Sequence, residues 1–301
     1  MSNHTFANNM IKKCDLALDA ILIVMKKKIV FVALLLAALT AVSVYFARKN
    51  AEDYFDASFG IYAFKAGKAD SFLVETDGGF VLIDAGEKEM GEEIVNKLAE
   101  DGIDYLDYVI VTHFDKDHVG GMSKVLKNIE VGTVLQSNYS KNSGEYAKYS
   151  AALAASGASA VTVTDDYSFE LGGAHFVVNG PAQEEYADSP SNNSSLITEI
   201  EYGDLRFLFM GDAEEARVAE FIDNNNQKYD FVKMPYHGAH LANLDEFLDN
   251  VSPKYALITS SDEELESVET TSALRLRGVK YYLTRQQNWV FVSDGKKIKV
   301  E

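Results

Sequence analysis

The stretch from Tyr108 to Met122, YVIVTHFDKDHVGGM, limits what this chain can fold into more than any other. Val109-Ile110-Val111 is an unbroken apolar run of the kind that forms a buried strand. The chain then breaks into a tight loop carrying His113, Asp115, Asp117 and His118, and leaves through Gly120-Gly121 into a helical pattern. Two imidazoles and two carboxylates therefore share one small volume at a strand end. Carboxylates so crowded repel one another unless a proton or a cation intervenes. A divalent ion is the simplest resolution, and imidazole with carboxylate is a donor set that zinc or manganese accepts.

The rest of the chain reads as α+β. Runs at 59–64, 71–75 and 80–83 are short and rich in β-formers, with Asp77-Gly78-Gly79 as a hairpin turn. Ile94, Val95 and Leu98 stand at helical spacing, a helix is expected near 122–129, and 145–155 is Ala-rich and helical. Three short strands are expected between Ala158 and Pro181, a hairpin over 196–210, and a helix at 213–222. Strands at 231–234, 255–258, 281–283 and 289–292 alternate with helices near 243–250 and 268–276. Antiparallel strands followed by mixed β and α occur twice, which predicts two sheets packed face to face with helices outside. With 301 residues, 47% of them hydrophobic, the chain is long enough for a substantial core.

Charge divides the chain. The first fifty residues hold seven Lys/Arg against two Asp/Glu, and the remainder 21 against 44, within a net charge of −18. A body this acidic is not drawn to nucleic acid or anionic lipid by its overall field, so nucleic acid is disfavoured as a partner. Cys14 is the one cysteine, so neither a disulfide nor a Cys-ligated zinc site belongs to the body. Lys26-Lys27-Lys28 precede an uncharged apolar run from Ile29 to Phe46. This pattern over 25–50 predicts a hydrophobic helix acting as a signal peptide or a signal-anchor. Residues 1–24 are then an upstream extension, and 51–301 form a domain outside the cytoplasm, membrane-anchored or secreted.

Four loops, each beside an apolar strand, carry ligand-type residues: His113 to His118, Ser191 to Leu196, Gly211-Asp212, and Lys233 to Gly238. Asp212 also suits a helix N-cap, and Asn192 and Ser195 suit turns. In order and rough separation the set resembles the metallo-β-lactamase superfamily. It stands closest to the branch containing the hydrolase domain of ComEC-type DNA-uptake proteins. That branch has His-x-Asp-x-Asp-His, here His113-Phe114-Asp115-Lys116-Asp117-His118. Its Asn-x-x-Ser-Leu segment stands here as Asn192-Asn193-Ser194-Ser195-Leu196. Its Gly-Asp and Lys-x-Gly-His-His-Gly segments stand as Gly211-Asp212 and Lys233-Met234-Pro235-Tyr236-His237-Gly238.

The resemblance implies a four-layer αβ/βα sandwich holding one or two ions, zinc or manganese. It implies that His113 and Asp115 bind one ion, that Asp117, His118 and His237 bind the other, and that Asp212 bridges them. Asp84 matches a position supporting the ligand loop from behind; Asn192, Ser195, Lys233 and Tyr236 are further supporting residues, and Asp117 and His237 the two on which catalysis depends. Three departures stand out. Asp115 replaces a histidine, the usual mid-chain histidine is missing with Asn192 or Ser195 near its place, and Tyr236 stands where the branch has a second histidine. The site holding Asp117, His118 and His237 is therefore expected to fill first. The activity implied is hydrolysis by metal-bound hydroxide, its water's pKa lowered towards about 7. A phosphodiester or related ester is the expected substrate, a nuclease being one version, with Lys233 placed to help hold the anionic group. The alternative is a catalytically weakened, metal-stabilised binding module.

Overall fold

In the computed structural model Val109, Ile110 and Val111 belong to a strand, Tyr105–Val111, that starts four residues earlier than the apolar run indicates. Ile110 belongs to the buried cluster between the two sheets, whereas Val109 and Val111 belong to the one beneath the helices. The period-two alternation is buried on both sides, which is why no polar residue interrupts it. The described residues are 57–301 with Met25 and Thr40. The expectations for 1–24 and 25–50 otherwise fall outside them. Among the described residues no helix is long and apolar enough to cross a membrane.

The elements run β1 (Phe59–Ala63), β2 (Phe72–Thr76), β3 (Gly79–Ile83), α1 (Met90–Glu100), β4 (Tyr105–Val111), α2 (Lys116–Val119), α3 (Met122–Asn128), β5 (Glu130–Ser137), α4 (Gly144–Ser156) and β6 (Ser159–Val163). They continue with β7 (Tyr167–Leu171), β8 (Ala174–Asn179), α5 (Pro190–Asn193), β9 (Ile197–Tyr202), β10 (Leu205–Phe209), α6 (Glu215–Asn224) and β11 (Phe231–Lys233). After a short 3-10 turn at Pro235–Gly238 come α7 (Leu244–Val251), β12 (Tyr255–Ile258), α8 (Val268–Leu276), β13 (Lys280–Leu283), β14 (Trp289–Ser293) and β15 (Ile298–Val300). One sheet has the order β15-β14-β1-β2-β3-β4-β5-β6 and the other β13-β12-β11-β10-β9-β8-β7. The last two strands thus return to the first sheet.

The expected layering is present. Phe59, Ile61, Val74 and Ile83 of one sheet meet Phe176, Phe207, Phe209 and Leu257 of the other. Ile94 of α1, Val125 of α3 and Tyr149 of α4 cover the first sheet; Val218, Phe247 and Leu274 of α6, α7 and α8 cover the second. β15 and the short helices α2 and α5 were not expected, since none spans enough residues to show a period. What matters for the site is direction. β3, β4, β5 and β6 are mutually parallel, as are β10, β11, β12 and β13. Within each set the carboxyl ends open on one edge, where open sheets build sites.

Candidate metal centre

Each inner residue sits just past a strand end. Asp84 follows β3, His113 and α2 with Asp117 and His118 follow β4, Asp212 follows β10, His237 follows β11, and Thr259 follows β12. Three non-glycine residues here take left-handed backbone: Asp84 (φ 55°), Tyr236 (φ 43°) and His237 (φ 53°). Such conformations cost about 1–3 kcal/mol each and persist only where neighbours hold them. Gly211, also left-handed at φ 53°, lets Asp212 turn inward; a Cβ there would come within 3.0 Å of the Ser195 Cβ.

The neighbours are hydrogen bonds to the rear nitrogens of three histidines. Asp84 accepts at Oδ1 from the Thr112 amide (2.8 Å) and at Oδ2 from the Thr112 hydroxyl (2.6 Å). Its Oδ2 also lies 2.8 Å from His118 Nδ1. Because the Thr112 hydroxyl donates to Asp84, it accepts from His113 Nδ1 at 3.1 Å. His237 Nδ1 donates to Thr259 Oγ1 at 2.8 Å, and that hydroxyl donates to Asp70 Oδ1 at 2.8 Å. With every Nδ1 engaged from behind, every Nε2 faces forward, the orientation metal-ligating histidines are given by their outer partners.

The forward atoms converge. His237 Nε2 lies 2.9 Å from Asp212 Oδ2 and 3.3 Å from Asp117 Oδ2, and His118 Nε2 lies 3.2 Å from Asp212 Oδ2. The rings of His113 and His118 are 4.1 Å apart, those of His118 and His237 5.4 Å. His113 Nε2, 3.8 Å from Asp115 Oδ1, completes the group. His113, His118, Asp212 and His237 are buried, yet the three Nε2 atoms and Asp212 Oδ1 have no hydrogen-bond partner. Four orphaned buried polar atoms in one place are costly unless something fills the space between them.

Electrostatics agree. Burial works against charge on His118, but Asp212 and Asp84 outweigh it and hold the imidazole well above its usual range. Burial is likewise overcome at His237, where Asp212 and Asp117 push the value up to about 10. The same pairing holds Asp212 well below the carboxylate range against burial. Asp117, despite burial, is brought down to about 2 by the imidazoles of His237, 3.3 Å away, and His118. His113, desolvated and beside His118, is pushed down to about 4 and is a neutral ligand at neutral pH. Without a metal, protons on His118 and His237 offset the carboxylates; a divalent ion would displace them.

Distance alone picks out Asp70, His118, Asp212 and His237, whose donor atoms lie within 4.8 Å of one another. These donors suit a divalent ion. Asp70 approaches the histidines from behind, however, at 3.5 Å from His237 Nδ1 and 4.0 Å from His118 Nδ1. It is also saturated: Lys233 forms an ion pair with its Oδ2 and Thr259 donates to its Oδ1. Asp117, facing the Nε2 edge, is the better fourth donor, and Asp70 fixes the frame. Sequence reading passed over Asp70, a single carboxylate before a strand. The signal that could have found it is Lys233, an ammonium inside a core strand that needs a buried partner.

Two expected roles are corrected. Lys233 is wholly buried, paired with Asp70 and donating to the Gly211 carbonyl at 2.9 Å, so it cannot reach a substrate anion. Asn192 does not take the place of the missing histidine; its amide donates to Glu214 Oε1 at 2.6 Å. Ser195 lies near that place, with its hydroxyl 3.4 Å from His113 Nδ1 and accepting from the Asp212 amide. Tyr236 is half-buried, its amide donating to Gly211 and Lys68 6.0 Å from its ring centroid. Asp212 is no helix cap, since α6 starts at Glu215.

A family model described as the metallo-beta-lactamase superfamily matches residues 65–260. The chain belongs to that superfamily. Among curated proteins, ComE operon protein 3 of Bacillus subtilis is 28% identical over 213 residues, which is 64% of this chain and 27% of that protein. Recombination protein 2 of Haemophilus influenzae is 27% identical over 202 residues, 64% of this chain and 23% of its own. Competence protein ComA of Neisseria gonorrhoeae is 26% identical over 200 residues, 65% and 26% respectively. The chain thus spans about a quarter of each of these ComEC-type relatives. Of solved structures, the metallo-beta-lactamase fold protein YhfI from Bacillus subtilis superposes with a TM-score of 0.51 at 10% identity, over 75% of this chain and 96% of its own. A variant of the β-hydroxylase CmlA gives 0.50 at 14% identity, over 76% and 52%. At such identities the likeness is one of fold.

Proposed function

We propose that this superfamily member is a metal-dependent hydrolase of a phosphodiester or related ester. The observation that carries the reading is the forward-facing set: three Nε2 atoms and one Asp212 oxygen, buried, unpartnered and convergent. Zinc and manganese both suit this mixture of imidazole and carboxylate. When bound, the ion supplies Lewis acidity and lowers the pKa of water. The chain's own residues do the rest. Asp84 and Thr259 fix the histidine tautomers, so no donor reorients as substrate binds. Asp117, with 23% of its side chain exposed against 4% for Asp212, places the open side of the centre near Asp117 and Asp115. Held to about 2, Asp117 stays ionised at neutral pH, the form in which a carboxylate holds a metal.

Relatives named for competence and recombination support a phosphodiester over a lactam. The acidic body argues for a local site rather than a broad nucleic-acid track. Lys26-Lys27-Lys28 before the apolar run support a domain held outside the cytoplasm. The test uses the purified protein with manganese or zinc and a chromogenic aryl phosphodiester. Turnover is expected, lost with chelator and in Asp117→Ala. If wild type and variant behave alike on phosphodiester, ester and lactam panels, the domain is a metal-stabilised binding module instead.

A further inference from the structure

The two halves of the centre are unequally prepared for a cation. On one side Asp212 Oδ2, Asp117 Oδ2, His118 Nε2 and His237 Nε2 face one another at 2.9–3.3 Å. On the other side Asp115 already has partners, and a buried ammonium stands near Asp212. Asp115 Oδ1, the oxygen nearest His113 Nε2, receives the Lys141 ammonium at 2.5 Å and the Ser191 hydroxyl. Asp212 Oδ1 lies 3.6 Å from Lys233 Nζ. Lys141 comes from the loop between β5 and α4, Ser191 from α5, so two separate segments converge on the one carboxylate.

We infer that this centre takes a single divalent ion, and that Lys141, held on Asp115 with Ser191, supplies the positive charge that a second ion would otherwise bring. Charge makes the case. Asp70, Asp84, Asp115, Asp117 and Asp212 surround the centre, and Lys233 and Lys141 are the ammonium groups paired with them. One divalent ion brings this set to −1 and a second would bring it to +1, so it is where the charges sit that decides. A second would put a dication beside the Lys141 ammonium, with only His113, Asp212 and an occupied Asp115 as donors. Like charges that close disfavour one another. Lys141 also stands on the open side of the centre, where an anionic substrate meets one metal and one ammonium.

The inference rests on the hydrolase reading only in that a divalent ion binds at all, and its test needs no turnover. The full chain is loaded with manganese, dialysed, and its metal content measured by mass spectrometry and calorimetric titration. Wild type is expected to hold one equivalent with the signal of isolated Mn(II). Lys141→Met should bind a second equivalent about ten- to a hundredfold more tightly than wild type does, the scale on which outer partners tune metal affinity, with exchange coupling in its paramagnetic spectrum. Adding Asp115→Asn to that variant should remove the gain. Lys141 is 35% exposed on a loop, so the substitution spares the core, and Ser191→Ala loosens the same contact independently. Two tight equivalents in wild type, or no gain in either Lys141→Met or Ser191→Ala, overturns the inference and leaves the hydrolase reading standing. No bound metal in any of them removes both.

Discussion

Asp84 shows how one side chain sets a site it never faces. Its left-handed backbone (φ 55°) turns its carboxylate under the ligand loop, where Thr112 and His118 share it. Through Thr112 it orients His113 as well, so two Nε2 atoms depend on one carboxylate. Asp84→Asn keeps the shape but offers the loop an amide nitrogen where His118 needs an acceptor. Metal affinity should fall about ten- to a hundredfold by calorimetric titration, while circular dichroism stays native. Unchanged affinity would make Asp84 a loop-folding residue only. The motif Leu82-Ile83-Asp84-Ala85-Gly86 made this residue legible in the sequence. Asp70 was not, because its partners Lys233 and Thr259 lie 163 and 189 positions away and no local pattern connects them.

At the scale of elements, β11 and the turn after it carry the strain. β11 is only Phe231–Lys233, flanked by β10 and β12 in parallel register, and its last residue is a buried ammonium. The Asp70 carboxylate, reaching over from the start of β2, keeps that ammonium charged against burial. The pair fastens the second sheet to the first at the edge where the left-handed Tyr236-His237 turn begins. Asp70→Asn leaves a buried lysine without its counter-charge, and urea denaturation should show a loss of about 3–5 kcal/mol. Lys233→Met in the same background should restore part of it, since an apolar side chain needs no partner. If Asp70→Asn unfolds at the wild-type urea concentration, Lys233 is compensated by other groups.

For the whole molecule, a chain of net charge −18 gathers several carboxylates at the open edge of the sandwich, and the cation that balances them links the fold to pH. His237 rises from its ordinary 6.5 to about 10 on folding, mainly through Asp212 overcoming burial. A raised value stabilises the metal-free fold fully below 6.5, and that contribution is lost as pH climbs through about 10. In chelator the melting temperature should therefore fall between pH 6.5 and 10. With manganese present the proton is no longer needed and metal affinity rises with pH, so the gap between loaded and chelated protein should widen. Differential scanning calorimetry at pH 6.5, 8 and 9.5 checks this; a constant gap would mean that metal does not compete with the His237 proton.

The layers were legible in local pattern alone. Apolar runs such as Val109-Ile110-Val111 and Phe207-Leu208-Phe209 specify buried strands because a strand's two faces are set by neighbours in the chain, and helical spacing at Ile94 and Leu98 is equally local. Local pattern also gave the ligand loops, whose histidines and aspartates cluster within a few residues. Which way those ligands face, and what charge surrounds them, follows from contacts made on folding. Lys141 on Asp115, Ser195 beneath His113, Asp70 under Lys233 and Thr259 behind His237 are contacts between segments far apart in the chain. Their energies depend on desolvation and distance, which come into being only when the two sheets close on each other.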